Sequence, residues 1–405
     1  MSEPNPSRRK FFGATAAGTL TALSTVSGPG RAAAQSAGIK PADLDLTIKE
    51  VKVYVLKPEE TPGRGEQYAS VVTASGIEGN YVLTGRYGHS NWSNLGWLAY
   101  AKRELVGKNV LDLPEFTNQF HSNVGQLSYA SAMNNCLWDI LGKAVNLPVY
   151  RILGAYRDRV RAYASSQHLR TVEEFVADVR HAKSQGFTAY KIHPPWLAAS
   201  EVDYKLDIEV AKAVRKAGGD DMELLFDRVG AYTRLEAMKV GRALDELNYV
   251  SFEDCLPTDD LEGLAELAKA LDVPITIGEF ILSPYDYAKY IRYGALDEVR
   301  FIVDNLGGIT GGMKVAQLAE CFGMLCQPHN WGNLLDHAVH FHCELAMPNN
   351  VWFEMTQPMG STDRPYFTDP LRIDKDGYVP APRKPGLGYE FNYHALHDML
   401  DRIET

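Results

Sequence analysis

The stretch Glu223-Leu224-Leu225-Phe226-Asp227 is the first of six short apolar runs that each lead into an ionisable residue. The six ionisable residues follow one another at intervals of 26, 26, 25, 25 and 25 residues: Asp227, Glu253, Glu279, Asp304, His329 and Glu354. One strand followed by one helix returns a chain to the same face of a parallel barrel. We therefore expect these six side chains to converge at the carboxyl ends of the strands, where barrel enzymes keep their chemistry.

The same alternation of short apolar strands and amphipathic helices extends from Arg159 to about residue 370. We predict eight strands: Val160–Ser165, Ala189–Ile192, Glu223–Phe226, Tyr249–Phe252, Pro274–Ile277, Val299–Val303, Met324–Cys326 and Val351–Phe353. Capping boxes at Thr171 and Thr233 open two of the intervening helices. This pattern is typical of an α/β fold, a (β/α) TIM-type barrel over residues 156–370. A doubly wound open sheet is the alternative, but eight evenly spaced units favour closure.

A different pattern precedes the barrel. Alternating apolar residues from Leu46 to Leu56 and two further short apolar runs predict strands, and a mostly helical stretch follows. Strands followed by helices indicate an N-terminal α+β capping domain over residues 46–155. The C-terminal segment, residues 371–405, is rich in Pro and Gly before a short helix, and we expect it to pack on the capping domain.

The first 34 residues are typical of a twin-arginine (Tat) signal peptide. Arg8 and Arg9 lie within Ser-Arg-Arg-Lys-Phe-Phe, an apolar run follows, and Ala32-Ala33-Ala34 offers a cleavage site. The alternative is a disordered basic tail. A Tat signal peptide predicts a periplasmic protein that folds and acquires its metal before export. No segment reaches the 18 or more apolar residues of a membrane helix, so we expect no membrane association after the signal is removed.

The charge composition excludes one class of partner and favours a metal ion. The net charge is -10, and no basic stripe is present, which argues against a nucleic-acid partner. An acidic protein that binds an acidic substrate needs a local positive centre, and a metal ion would supply one. Asp227, Glu253 and Glu279 suit this role, because three carboxylates on adjacent strands are the oxygen ligands that Mg²⁺ prefers. Zinc would favour His or Cys, and neither belongs to this trio.

Candidate acid and base groups lie on both sides of the predicted metal site. Lys191 and His193 are two apart on the second strand, so they share one face. Asp304 and His329 end neighbouring strands, where a carboxylate can fix the tautomer of an imidazole and raise its basicity. Glu354 on the eighth strand would hydrogen-bond a substrate carboxylate if it is protonated, or else complete the polar ring.

These residues resemble the mandelate racemase branch of the enolase superfamily, in the mandelate racemase/muconate lactonizing enzyme family. The resemblance covers roughly Leu46 to the C-terminus. It implies that Asp227, Glu253 and Glu279 bind Mg²⁺, that Asp304 and His329 form a His–Asp dyad, and that Glu354 stabilises the enediolate. It places Lys191 and His193 on the Lys-x-Lys motif of the second strand, and it implies a homo-oligomer.

Three positions depart from the family pattern. His193 replaces the second lysine, Val229 stands where Asn is frequent, and Asp254-Cys255 replaces a Glu-Pro or Asp-Pro pair. The metal trio is unaffected. The identity of the second acid/base group is left open between Lys191 and His193.

The resemblance implies abstraction of the proton next to a substrate carboxylate through a metal-stabilised enediolate. We expect dehydration of a sugar acid or hydroxy acid to a 2-keto acid. The alternatives are a racemase, epimerase or cycloisomerase on the same site, or a non-catalytic periplasmic binding protein. The substrate would be a small carboxylate. We expect it to contact a glycine-containing capping loop and residues that follow the barrel strands: Arg86, His89, Trp92, Trp196, Arg228, Asn330 and Trp331.

Overall fold

The computed structural model describes residues 44–57, 66–83, 94–112, 124–195, 201–357 and 363–405. The predicted signal peptide lies outside these ranges, and so do the predicted capping loop at residues 84–92 and Trp196. No helix within the described ranges is long and apolar enough to cross a membrane.

The N-terminal part of the fold is a four-stranded antiparallel sheet with helices packed on it. Its strands are β1 (Ile48–Leu56), β2 (Gln67–Thr73), β3 (Glu78–Val82) and the C-terminal β13 (Leu400–Glu404), in the order β13-β1-β2-β3. The helices of this part are α1 (Asn94–Leu105), α2 (Val124–Ala144) and α3 (Val149–Leu153). Met133, Leu137 and Ile140 lie on one buried face of α2, at the spacing of an amphipathic helix. Gly79 lets this helix approach β3, because a Cβ there would lie 2.1 Å from the Cys136 carbonyl oxygen.

Eight parallel strands form the barrel. They are β4 (Arg159–His168), β5 (Ala189–His193), β6 (Glu223–Asp227), β7 (Ser251–Glu253), β8 (Ile275–Ile277), β9 (Glu298–Phe301), β10 (Leu325–Pro328) and β11 (Trp352–Thr356). Their hydrogen-bonded order is β10-β9-β8-β7-β6-β5-β4-β11, so the last strand lies beside the first. The prediction of an α/β barrel with a capping domain is therefore confirmed, and the open doubly wound sheet is wrong.

Among the residues that the structure describes, seven helices connect the barrel strands. They are α4 (Val172–Ser184), α5 (Tyr204–Gly218), α6 (Arg234–Glu246), α7 (Leu261–Ala270), α8 (Asp286–Tyr293), α9 (Ile309–Cys321) and α10 (Leu334–Ala346). The capping boxes predicted at Thr171 and Thr233 are both formed, each with the glutamate three residues later. A short 3-10 helix, Val303–Asn305, separates β9 from α9 and carries Asp304.

Side chains bridge the seam between β10 and β11, where the described residues form no strand ladder. The Gln327 side-chain oxygen accepts from the Trp352 backbone N–H at 3.2 Å, and Asn350 Nδ2 donates to the Cys326 carbonyl at 3.3 Å. The barrel is thereby nearly closed, which fixes the directions of the side chains at its mouth.

The C-terminal segment contacts both parts of the fold. Its first strand, β12 (Tyr378–Pro380), pairs antiparallel with β4 of the barrel. After α11 (Tyr393–Met399), β13 pairs with β1, with Val53 opposite Glu404. Sequence analysis predicted only a helix packed on the capping domain, so the two strands are new features.

Candidate metal centre and active site

Asp227, Glu253 and Glu279 lie together at the carboxyl end of the barrel. Asp227 and Glu253 are the last residues of β6 and β7 and face one another in the strand register. Glu279 follows β8 after Gly278, whose φ is 148° and where a Cβ would lie 1.9 Å from the Arg300 carbonyl oxygen. Only glycine accommodates this close approach. It allows Glu279 to join the other two carboxylates.

The three carboxylates fit a divalent cation. Each is at least 98 % buried, and one oxygen from each lies within 4.8 Å of the others. Burial and the neighbouring carboxylates raise the pKa of Glu253 well above its usual value, and a cation bound among the three carboxyls would relieve their repulsion. An all-oxygen donor set favours a hard cation and leaves coordination positions for water or substrate.

Lys191 lies at the centre of the site rather than at its edge. Its side chain is fully buried, and Nζ lies 2.7 Å from Glu354 Oε1, 2.9 Å from Glu253 Oε2 and 3.5 Å from Asp227 Oδ2. Burial and Arg300 oppose its charge, but Glu253 and Glu354 outweigh them and raise the pKa of Lys191 well above its usual value. The ammonium is therefore a fixed positive charge.

His193 flanks the trio on the β5 side. Its Nε2 lies 3.0 Å from Asp227 Oδ2, and the residue is 98 % buried. Burial, together with the neighbouring Lys191, lowers the pKa of His193. Its imidazole is therefore neutral near pH 7 and is able to accept a proton. Trp331 packs edge-on against this ring at a centroid distance of 5.1 Å.

His329 flanks the trio on the opposite side. It follows β10 directly, and its Nε2 lies 2.8 Å from Glu279 Oε2. Its Nδ1 lies 3.5 Å from Glu354 Oε2. In the strand order, β5 and β10 lie on either side of the three strands that carry the carboxylates. The two imidazoles therefore approach the trio from opposite sides.

Glu354 lies in the middle of β11 rather than at its end. Its Oε1 accepts from Ser165 Oγ at 2.8 Å, and its Oε2 accepts from the Asn330 backbone N–H at 2.9 Å and from Arg300. Burial raises the pKa of Glu354, but the charges of Arg300 and Lys191 hold it well below its usual range. The carboxyl is therefore ionised, and the protonated form considered from the sequence does not apply.

Asp304 lies beyond the end of β9, within the 3-10 helix. Its Oδ1 accepts a hydrogen bond of 2.8 Å from the Tyr81 phenol, which comes from β3 of the capping domain. Sequence analysis placed Asp304 at a strand end beside His329, and its pairing with that imidazole stays a prediction.

The predicted substrate-binding residues have different surroundings. Arg228 is 99 % buried and contacts Asp207 of α5 at 3.2 Å and the Pro195 carbonyl at 2.9 Å. Asn330 donates from Nδ2 to Glu344 at 3.1 Å, and Trp331 lies beside His193. Four residues lie outside the described ranges: Arg86, His89, Trp92 and Trp196. The roles of all seven in substrate binding stay predictions.

Two of the departures from the family pattern have a backbone consequence. Val229 has φ 55° and Asp254 has φ 40°, both in the left-handed region. This region disfavours β-branched side chains and tolerates Asn. The Val229 backbone N–H donates to Asp227 Oδ1 at 3.0 Å, so the strained turn also orients a carboxylate of the trio.

Arg300 is the main site residue that sequence analysis missed. It is 99 % buried on β9 and forms ion pairs with Glu253 and Glu354, and its Nε lies 3.8 Å from Glu279 Oε2. A charged residue inside an apolar run was the available signal, because such a residue on a buried strand requires a partner.

The barrel, the buried carboxylate trio and the flanking imidazoles define an enzyme that uses a divalent cation. Residues 174–395 match the model of the enolase C-terminal domain-like family, which is just over half of the chain. The protein belongs to this family, within the mandelate racemase/muconate lactonizing enzyme family of the enolase superfamily.

Two relatives and one solved structure show what this chain is similar to. The arabinonate dehydratase of Saccharolobus solfataricus is 30% identical over 262 residues, covering 64% of this chain and 68% of the relative. The 3,6-anhydro-alpha-L-galactonate cycloisomerase of Streptomyces coelicolor is 30% identical over 273 residues, covering 66% and 71%. The structure of D-glucarate dehydratase from Agrobacterium tumefaciens, complexed with magnesium, has a TM-score of 0.74 and 25% identity and covers 89% of this chain and 100% of that one.

Proposed function

We propose that this protein is a Mg²⁺-dependent acid-sugar dehydratase. The single observation that carries the proposal is the placement of two imidazoles, His193 and His329, on opposite sides of a buried carboxylate trio. Elimination of water from a sugar acid needs a base for the proton next to the carboxylate and an acid for the departing hydroxyl. The similarity to arabinonate and D-glucarate dehydratases supports this reaction over others of the family.

Mg²⁺ in the trio would supply positive charge to the substrate carboxylate as negative charge develops on it. The protein's own residues perform the proton transfers. One imidazole removes the α-proton, which breaks the C2–H bond, and the other protonates the β-hydroxyl, which leaves as water. The resulting enol then gains a proton at C3 and loses its hydroxyl proton, which gives a 2-keto-3-deoxy acid. Because the Lys191 ammonium is held by three carboxylates, we infer that His193 rather than Lys191 exchanges protons on its side.

A screen of purified protein against a panel of acid sugars tests the proposal. In Mg²⁺ buffer, at least one sugar acid should yield a 2-keto acid, detected as its semicarbazone. Release of a product of unchanged mass would instead identify an epimerase or cycloisomerase, for which the Streptomyces coelicolor relative gives a precedent. Tight binding of an acid sugar without exchange of its α-proton in D₂O would identify a binding protein.

The Mg²⁺ assignment has its own test. We expect Glu253→Gln to weaken Mg²⁺ binding in calorimetry and to abolish turnover with little change in fold, because one of three oxygen ligands loses its charge. Glu344→Gln is the matched control, since Glu344 is an equally buried carboxyl on α10 that lies outside the trio. Equal Mg²⁺ affinity in Glu253→Gln and the wild type would contradict the assignment.

We further propose periplasmic delivery through the Tat pathway, with assembly as a homo-oligomer. The support is the Arg8-Arg9 pattern for export and the family resemblance for assembly. Replacing both arginines by lysine should leave the protein in the cytoplasm, and normal delivery of that variant would rule out the Tat assignment. Light scattering of the mature protein would settle its assembly state.

A further inference from the structure

The segment that carries Asp304 is held in place by the capping domain as well as by the barrel. Tyr81, on β3, is 99 % buried, and its phenol donates to Asp304 Oδ1 at 2.8 Å. Ser131, on α2, donates from Oγ to the Asp304 carbonyl at 2.8 Å and accepts from the Gly307 N–H at 3.0 Å. Both the side chain and the backbone of Asp304 therefore have partners in the other domain.

The helix that follows is capped by the same domain. Its N-cap residue is Gly308, which has no side chain to accept from the first N–H groups of α9. Asn135 Oδ1 accepts instead from the Ile309 N–H at 3.0 Å, and Asn134 Oδ1 accepts from the Thr310 N–H at 3.2 Å. A Cβ on residue 308 would lie 2.5 Å from Asn134 Oδ1, so glycine is what admits these side chains. The capping domain thus contributes directly to the position of the segment after β9.

The Tyr81 phenol lies between two carboxylates but has one proton. Asp304 Oδ1 is at 2.8 Å and Asp336 Oδ1 is at 3.3 Å. The shorter contact has the distance of a strong O–H···O bond, and the longer one exceeds the usual range. Burial, together with Asp304 and Asp336, raises the pKa of Tyr81 well above its usual value. The phenol therefore stays protonated near neutral pH and donates to one carboxylate.

We propose that Tyr81 is a positioning residue of the active site, which fixes the Asp304 carboxylate from the capping domain. A carboxylate that orients an imidazole does so only when its own oxygens are fixed, and removal of such an outer partner typically costs about 10–100-fold in activity. Tyr81 acts through Asp304, so its role rests on the proposed function, in which Asp304 orients His329.

Tyr81→Phe and Tyr68→Phe form a matched pair for the test. Tyr68 is a fully buried tyrosine of the same sheet whose hydroxyl donates to a different carboxylate, Glu66. Each variant loses one buried hydroxyl that binds a carboxylate, but only Tyr81→Phe affects Asp304. With the best acid sugar as substrate, we expect kcat of Tyr81→Phe to fall about 10–100-fold. KM should change by less than about a factor of two, because substrate binding is not altered.

Two kinetic results would overturn the proposal. One is a kcat of Tyr81→Phe equal to that of the wild type. The other is an equal fall of kcat in Tyr81→Phe and Tyr68→Phe, which would show that any loss of a buried hydroxyl in this sheet has the same effect.

Crystal structures of both variants with Mg²⁺ test the role of Tyr81 independently of the proposed function. We expect the Asp304 carboxylate to rotate away from its present position in Tyr81→Phe and to stay in place in Tyr68→Phe. If the wild-type protein dehydrates no acid sugar, the proposed function fails, but these structures still decide the role of Tyr81. An unmoved Asp304 carboxylate in Tyr81→Phe overturns it, whichever substrate is found.

Discussion

Replacement of Lys191 by Met should lower the stability of the metal-free protein and raise its affinity for Mg²⁺. Methionine has a similar length but no charge, so Lys191→Met leaves Glu354, Glu253 and Asp227 without the ammonium that lies 2.7–3.5 Å from them. Removal of one partner of a buried ion pair typically costs about 3–5 kcal/mol. We expect the free energy of unfolding of the metal-free protein to fall by about that amount.

The same substitution should strengthen the binding of Mg²⁺. The ammonium and the cation are attracted by the same carboxylates and repel each other, and two unit charges 4 Å apart interact by about 4 kcal/mol at an effective dielectric constant of 20. Even a third of that energy would raise the affinity of Lys191→Met for Mg²⁺ about tenfold. Saturating Mg²⁺ should consequently restore much of the lost stability.

Urea unfolding in EDTA and in Mg²⁺, together with titration calorimetry, measures both effects. Lys239→Met is the control, because Lys239 is exposed and its substitution should change stability by less than about 0.5 kcal/mol. Weaker Mg²⁺ binding by Lys191→Met, or unchanged stability of its metal-free form, would refute this account of the charges.

Three further predictions concern other parts of the chain. Burial lowers the pKa of His342 to about 4, so the unfolded state takes up its proton first and stability is lost as pH falls from about 6.5 towards 4. Between pH 6.5 and 5, His342→Gln should lose about 1.6 kcal/mol less stability than the wild type in urea unfolding, and equal losses would contradict this. Val229→Asn should raise the free energy of unfolding by about 1 kcal/mol, because Asn tolerates φ 55° better than Val does, and a decrease would show that the turn is not strained. His329→Asn should stop dehydration yet still exchange the substrate α-proton with D₂O through His193, whereas loss of both would make His329 the base.

The barrel could be predicted from sequence because each strand combines two independent signals. A strand such as Glu223–Asp227 is an apolar run of the right length, and it is followed by a helix with a capping box at Thr233. The predicted strands all overlap the observed ones. The metal trio was also predictable, because the regular spacing of Asp227, Glu253 and Glu279 corresponds to one strand–helix unit in the fold.

Other features depend on contacts that a linear pattern does not contain. The β13 strand, Leu400–Glu404, has polar and exposed residues and no alternation, and it forms only because β1, almost 350 residues earlier, offers an edge. The sequence pattern predicts only that Tyr81 belongs to a strand of the capping domain. Its contact with Asp304 arises from the docking of two domains. In the sequence, Arg300 interrupts an apolar run. Its inward direction is evident only in the barrel, where its side chain pairs with Glu253 and Glu354.

The charges inside the barrel explain how a histidine can occupy the place of the second lysine. Four buried carboxylates surround the site, Asp227, Glu253, Glu279 and Glu354, and the two permanent cations among them are Lys191 and Arg300. With all four carboxyls ionised and His193 neutral, four negative charges face two positive ones, and one divalent cation would balance the difference. Arg300 therefore adds from β9 a second buried positive charge beside that of Lys191. Position 193 then holds an imidazole that is neutral near pH 7 and is able to accept a proton.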